Sequence, residues 1–133
     1  SILTTQAEIA FIMVGINDLV YGESISDIVN NYKTIVNSLI NKGMHVYIQS
    51  ILLTGGRHDL NRHIVKLNKR IQEYSDSSTQ VTYINLNKVL SKNDVLDQVY
   101  TNDGWHLNGS GYFKWKTAIE PFIERKIPST QGA

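Results

Sequence analysis

The six residues Ile9-Ala10-Phe11-Ile12-Met13-Val14 are apolar without interruption and are stopped by Gly15. A strand with one wet face alternates polar and apolar residues. A run that is apolar at every position, with β-branched and aromatic members, reads as a parallel strand buried on both faces. Such a strand belongs in the middle of a sheet, because an exposed apolar edge invites pairing with other chains. Ile9–Val14 is therefore predicted to be a central strand. It is far shorter than the roughly 20 residues that cross a bilayer. No other segment of the chain is an obvious neighbour for its second side, so a preceding segment or another chain is expected there.

Downstream the spacing changes. Ile28, Val29, Tyr32, Ile35, Val36, Leu39 and Ile40 recur at helical intervals, with Ser24 or Ser26 placed to cap the helix and Gly43 to stop it. A second strand is predicted from Met44 to Leu52, followed by a Gly55-Gly56 loop. A helix from about Leu60 to Tyr74 carries Ile64, Leu67 and Ile71 on one face. Ser75 to Ser78 reads as a polar turn, and Gln80 to Leu86 as a third strand. The last helix is predicted from Ser110 to about Arg125, its apolar side formed by Tyr112, Trp115, Ile119 and Phe122, with Pro121 expected to kink or end it. Strand and helix alternating three times predict βαβ crossovers and a parallel sheet covered on both faces: one α/β domain over residues 1–133.

Composition narrows the chemistry. Thirteen Lys and Arg against twelve Asp and Glu give a net charge of +1, so no global field steers the chain toward nucleic acid or an anionic membrane. There is no cysteine, which removes disulfides, thiolate metal sites and a thiol nucleophile. His45, His58 and His63 lack partners at ligand spacing, so neither a metal nor a cofactor is expected. No signal peptide or membrane span is visible. Arg57, Arg62, Lys66, Lys69 and Arg70 form a basic stretch that reads as a solvated helix face.

Ligands of open α/β sheets bind beyond the carboxyl ends of the strands. Three segments leave strands there: Gly15-Ile16-Asn17-Asp18, Leu53 to His58, and Thr101 to Tyr112. In the last, Asp103 and His106 are three residues apart around Gly104, a spacing that lets the carboxylate hold one ring nitrogen and leave the other for a substrate. An Asx turn beside a surface histidine has the same spacing. Asn17 is placed either to offer its amide to a developing oxyanion or to serve as a turn or helix cap. Trp105 suits the wall of an acyl or sugar pocket, or packing on the last helix. Gly55-Gly56-Arg57 lacks the Lys-Ser/Thr of a phosphate loop and reads as a rim loop, and Asn108-Gly109-Ser110 as the turn that starts the final helix.

Together the first and last segments resemble the SGNH/GDSL hydrolase family. Gly15-Ile16-Asn17-Asp18 is similar to its Gly-x-Asn-Asp block, and Asp103-Gly104-Trp105-His106-Leu107-Asn108-Gly109-Ser110-Gly111-Tyr112 to its last block, Asp-x-x-His with a trailing Asn, Gly and Tyr, in matching order and separation. The resemblance implies a flavodoxin-like three-layer α/β/α sandwich. It also implies that Asn17 donates to the oxyanion, His106 is the general base and acid, and Asp103 orients His106. The activity implied is hydrolysis of a small acyl ester, with O-acetylated carbohydrate the first substrate class.

The family's nucleophilic serine, in a Gly-Asp-Ser block, and a glycine of its second block precede Gly-x-Asn-Asp, and neither block stands before Gly15. The chain is thus expected to be the carboxyl-terminal part of a longer hydrolase, or one piece of a cleaved one, inactive alone. Gly22-Glu23-Ser24-Ile25-Ser26 mimics the nucleophile block, but it follows the third block and suits a helix start. Ser50 and Ser110 are expected to be structural. The alternatives are a degenerate, non-catalytic binding module and a flavodoxin-like domain that binds a nucleotide or phosphate near Gly55.

Overall fold

The computed structural model describes residues 9–13 and 16–126, and of Asn17, Asp18 and 124–126 the backbone alone. In chain order these residues form β1 (Ile9–Met13), α1 (Asn17–Val20), α2 (Ile25–Asn41), β2 (His45–Gln49), α3 (His58–Asp76), β3 (Val81–Ile84), α4 (Asn87–Leu90), a hairpin of β4 (Ser91–Lys92) and β5 (Val95–Leu96), a 3₁₀ turn (Gln98–Tyr100) and α5 (Gly109–Lys126). The sheet is parallel with order β1-β2-β3, Phe11 opposite Tyr47 and Ile48 opposite Tyr83.

Because side chains alternate along a strand, β2 feeds two separate cores. Val46 and Ile48 pack with Ile28, Val29 and Val36 of α2 and with Ile64, Leu67 and Ile71 of α3. Tyr47 points the other way, into a cluster with Ile84, Leu86, Leu90, Leu96 and Ile119, where it stacks on Phe11 (centroids 4.9 Å apart) and meets Phe122 edge-on. Helices on both faces of a parallel sheet make the three-layer α/β/α sandwich that the alternation of elements predicts.

Several expectations need correction. Among the described residues β1 has a strand on one side only, and β2 is the strand flanked on both sides. Ile9–Ile12 are accordingly half-buried, while Val46–Gln49 are fully buried. Val14 and Gly15, the expected end of the first strand, lie outside the described residues. The second strand stops at Gln49 instead of Leu52: the Ser50 N–H still donates to the Ile84 carbonyl of β3, but from Ile51 onward the backbone finds side-chain partners. Ser75 lies within α3, buried, its hydroxyl donating to the Ile71 carbonyl. Pro121 neither ends α5 nor shortens it: the helix continues to Lys126.

Ser24 is the cap of α2, its Oγ accepting from the Asp27 N–H at 3.1 Å, which gives this serine a structural role. The basic residues Arg62, Lys66, Lys69 and Arg70 are exposed on α3. Arg57 pairs with Asp59, whose carboxyl is lowered to about 2 chiefly by the guanidinium hydrogen bond. No helix among the described residues is long and apolar enough to cross a membrane.

Candidate active site

At the carboxyl end of the sheet, the segment Ser50 to Thr54 continues the line of β2 without a β-ladder. Its Ser50 N–H still donates to the Ile84 carbonyl, and Ile51, Leu53 and Thr54 are then held by three asparagines. Asn68 of α3 accepts from the Ile51 N–H and donates to the Ile51 carbonyl, both at 2.9 Å. Asn87 of α4 donates to that same carbonyl and accepts from the Leu53 N–H. Asn61 of α3 accepts from the N–H and the hydroxyl of Thr54 and donates to the Thr54 carbonyl. A buried backbone left unpaired is costly, so these side chains do the work that a neighbouring strand does elsewhere.

The segment ends at Gly55, whose N–H donates to the Gly104 carbonyl at 2.9 Å. Gly104 has φ +81°, a conformation that favours glycine, and it stands between Asp103 and His106. The expected rim loop is thus fastened to the Asp-x-x-His segment.

Around Gly104 the segment is a closed hydrogen-bonded unit. The Asp103 Oδ1 accepts from the backbone N–H groups of Trp105 and His106, each at 2.8 Å. Its Oδ2 lies 2.7 Å from the His106 Nδ1. The His106 contact, followed by the two backbone N–H groups, holds the Asp103 carboxyl well below the usual carboxylate range. An ionised carboxylate only accepts, so Nδ1 of His106 carries a proton and donates to Asp103, which leaves Nε2 as the ring nitrogen without that partner. The buried Thr101 hydroxyl braces the turn from below: it donates to the His106 carbonyl at 2.6 Å and accepts from the Gly104 N–H at 3.0 Å. Asn108 fixes the far end, capping α5 through the Gly111 N–H and donating to the Val99 carbonyl.

His106 lines a cleft of ≈ 440 Å³ whose floor is Ile51, Leu52, Leu53 and Leu86 and whose sides include Met13, Ile16, Trp105, Tyr112 and Trp115. Its side chain is 84% exposed, open to a substrate. The structure therefore brings Asp103 and His106 together, and puts Ile16, the residue just before Asn17, on the same cleft. Asn17 opens α1, and its side chain lies outside the described residues, as does Gly15. Trp105 lines the cleft, and Asn108-Gly109-Ser110 opens α5 as expected. Ser50 is structural, its Oγ accepting from the Leu86 N–H at 3.0 Å. Thr101, Gly55 and the three asparagines carry no short-range pattern that marks them. Only a polar residue recurring amid the apolar face of α3, Asn61 and then Asn68, signalled buried hydrogen bonding in the sequence.

A model of the GDSL-like Lipase/Acylhydrolase family matches residues 1–113. Among curated proteins the chain is similar to an N-acylneuraminate cytidylyltransferase of Streptococcus agalactiae serotype V, 29% identical over 123 residues. The match takes in 92% of this chain and 30% of that protein, so the chain spans under a third of the curated relative. Among solved structures it resembles a GDSL-like lipase from Bacteroides thetaiotaomicron (TM-score 0.81, 21% identity, 90% of this chain and 63% of that one). It also resembles a carbohydrate esterase family 3 protein from Talaromyces cellulolyticus (TM-score 0.72, 20% identity, 93% of this chain and 60% of that one). At these identities the solved structures speak to the fold alone, a parallel sheet covered by helices, and the family match speaks to descent. On the strength of that match over residues 1–113, the chain belongs to the GDSL-like lipase/acylhydrolase family.

Proposed function

We propose that this chain is the acid-base part of a serine ester hydrolase acting on small acyl esters, with O-acetylated carbohydrate ahead of simpler alcohols. The observation that carries the reading is the 2.7 Å contact between His106 Nδ1 and Asp103, which leaves Nε2 as the free nitrogen of an exposed, cleft-lining imidazole. In this scheme a serine hydroxyl attacks the acyl carbonyl as its proton passes to Nε2. The imidazolium, steadied by Asp103, then gives that proton to the departing alcohol. Water repeats the sequence on the acyl-enzyme and releases the acid. Asn17 donates its amide to the oxyanion formed at each addition.

The serine comes from a segment outside these 133 residues, which also lies beside β1, and the chain alone is inactive. In support, among the described residues no serine is hydrogen-bonded to His106, while Ser24, Ser50 and Ser75 are occupied in capping and core contacts. The carbohydrate preference draws support from the names of the relatives: an N-acylneuraminate is the sugar of the streptococcal protein, and a carbohydrate esterase is among the structural neighbours. A phosphate cradle at Gly55 is disfavoured, since the Gly55 N–H is already bonded to Gly104.

The test is turnover of p-nitrophenyl acetate by this chain, by a longer protein that carries the serine block, and by that protein with His106→Ala. We expect none, turnover, and a loss of about four orders of magnitude, the scale on which triad members act. Turnover by the isolated chain that survives His106→Ala would sink the assignment.

A further inference from the structure

The floor and the rim of the cleft differ in what they leave free. Below the rim the polar side chains are taken: the Ser50 Oγ by the Leu86 N–H, the Thr54 hydroxyl by Asn61, and, on the side wall, the Trp115 indole N–H by Gln49 at 2.6 Å. At the rim, Trp105 is 40% and Tyr112 59% exposed. Among the described residues the indole N–H of Trp105 and the phenol of Tyr112 make no hydrogen bond, unlike Trp115 on the same cleft.

Both rim rings are carried by the unit that holds His106. The Trp105 N–H is tied to Asp103, and the Tyr112 N–H donates to the Asn108 carbonyl in the first turn of α5. Their backbones are thus fixed relative to the imidazole while their faces stay open. Among the described residues, no Lys, Arg, Asp or Glu side chain lines the cleft.

We propose that Trp105 and Tyr112 form a pyranose-binding rim that seats the alcohol half of the substrate beside His106. A pyranose presents a face of C–H bonds and an edge of hydroxyls, and so asks for an aromatic surface with a polar handle and no charge. That is what these two side chains offer. A linear acyl chain needs only the floor, and a phosphate needs cations that the cleft lacks. The identification of the sugar as substrate rests on the hydrolase reading; the binding of the sugar does not.

The test is a titration of the 133-residue chain with methyl β-glucopyranoside, followed through the two indole N–H signals in NMR and assigned with Trp105→Phe. We expect saturable, millimolar movement of the Trp105 signal. Affinity should fall about tenfold in Trp105→Ala, and less in Tyr112→Phe, which keeps the ring face, than in Tyr112→Ala. Trp105→Phe, read through the remaining indole and backbone signals, should recover most of the loss. A Trp105 signal that does not move at saturating sugar, or an affinity indifferent to Trp105→Ala, overturns the proposal. Sugar binding by a protein whose longer form hydrolyses no ester would leave the rim standing and remove the hydrolase reading.

Discussion

Gly55 and Gly104 meet backbone to backbone: the Gly55 N–H donates to the Gly104 carbonyl at 2.9 Å, and a Cβ on Gly55 would lie 3.0 Å from the Gly104 Cα. Two loops that are 49 positions apart in sequence (104 less 55) thus share one contact, and the second carries the Asp103–His106 pair.

Gly104→Ala should lower stability by about 1–2 kcal/mol, because φ +81° is strained for any residue with a Cβ. Gly56→Ala is the control, since an added Cβ there meets nothing within 4 Å and no positive φ is involved. Urea denaturation of the two variants checks this: equal midpoints would show that the turn tolerates alanine.

Asn61→Ala strands the N–H of Thr54 in a buried place, while the Thr54 carbonyl keeps the Leu96 N–H and its hydroxyl keeps the Arg57 N–H. The expected cost is about 2–3 kcal/mol. Amide exchange at Thr54 should quicken more than at Val46, whose N–H donates to the Gln80 carbonyl beside the β-ladder.

The Asp103 carboxyl offers a pH readout. Its folded-state pKa is depressed below the ordinary 3.8, so its contribution to stability is complete above that value and is lost only as pH falls through the lower, folded-state one. Carboxyl ¹³C titration should show Asp103 still ionised at pH 3.8. In His106→Ala the midpoint should rise, though not all the way, because the Trp105 and residue-106 N–H groups remain.

Thr101→Val keeps the volume of the side chain but removes the partner of the Gly104 N–H and the His106 carbonyl. A loss of about 1–3 kcal/mol is expected. The chemical shifts of His106 should move as the turn relaxes; a variant as stable as the parent with an unaltered His106 would show that the hydroxyl is dispensable.

How much of this was written in the chain depends on the range over which each signal acts. The apolar run at Ile9 and the helical spacing of Ile28 to Ile40 are local, and they led to the right elements. Asp103 and His106 were legible for the same reason, being three residues apart on one turn. Where partners come from afar the reading failed. Met44 to Leu52 looks like one strand, yet only His45–Gln49 finds strands beside it. Asn93 and Asp94, with φ 55° and 64°, make the two-residue turn of the β4–β5 hairpin, a cue present in the sequence as Asn-Asp but set among strands of two residues each. Pro121 was expected to kink or end α5; the helix runs past it to Lys126, since a proline removes a single N–H donor and Ile119 and Phe122 still pack on the sheet.

The floor of the cleft is held by Asn61, Asn68 and Asn87 and not by a β-ladder. A ladder is made of backbone and is indifferent to which side chains it carries, so substitution rarely re-aims it. A floor suspended from three side chains is different: its height and tilt are encoded residue by residue. The cleft end of this sheet can therefore be reshaped by point changes on α3 and α4 while the sheet beneath it stays as it is.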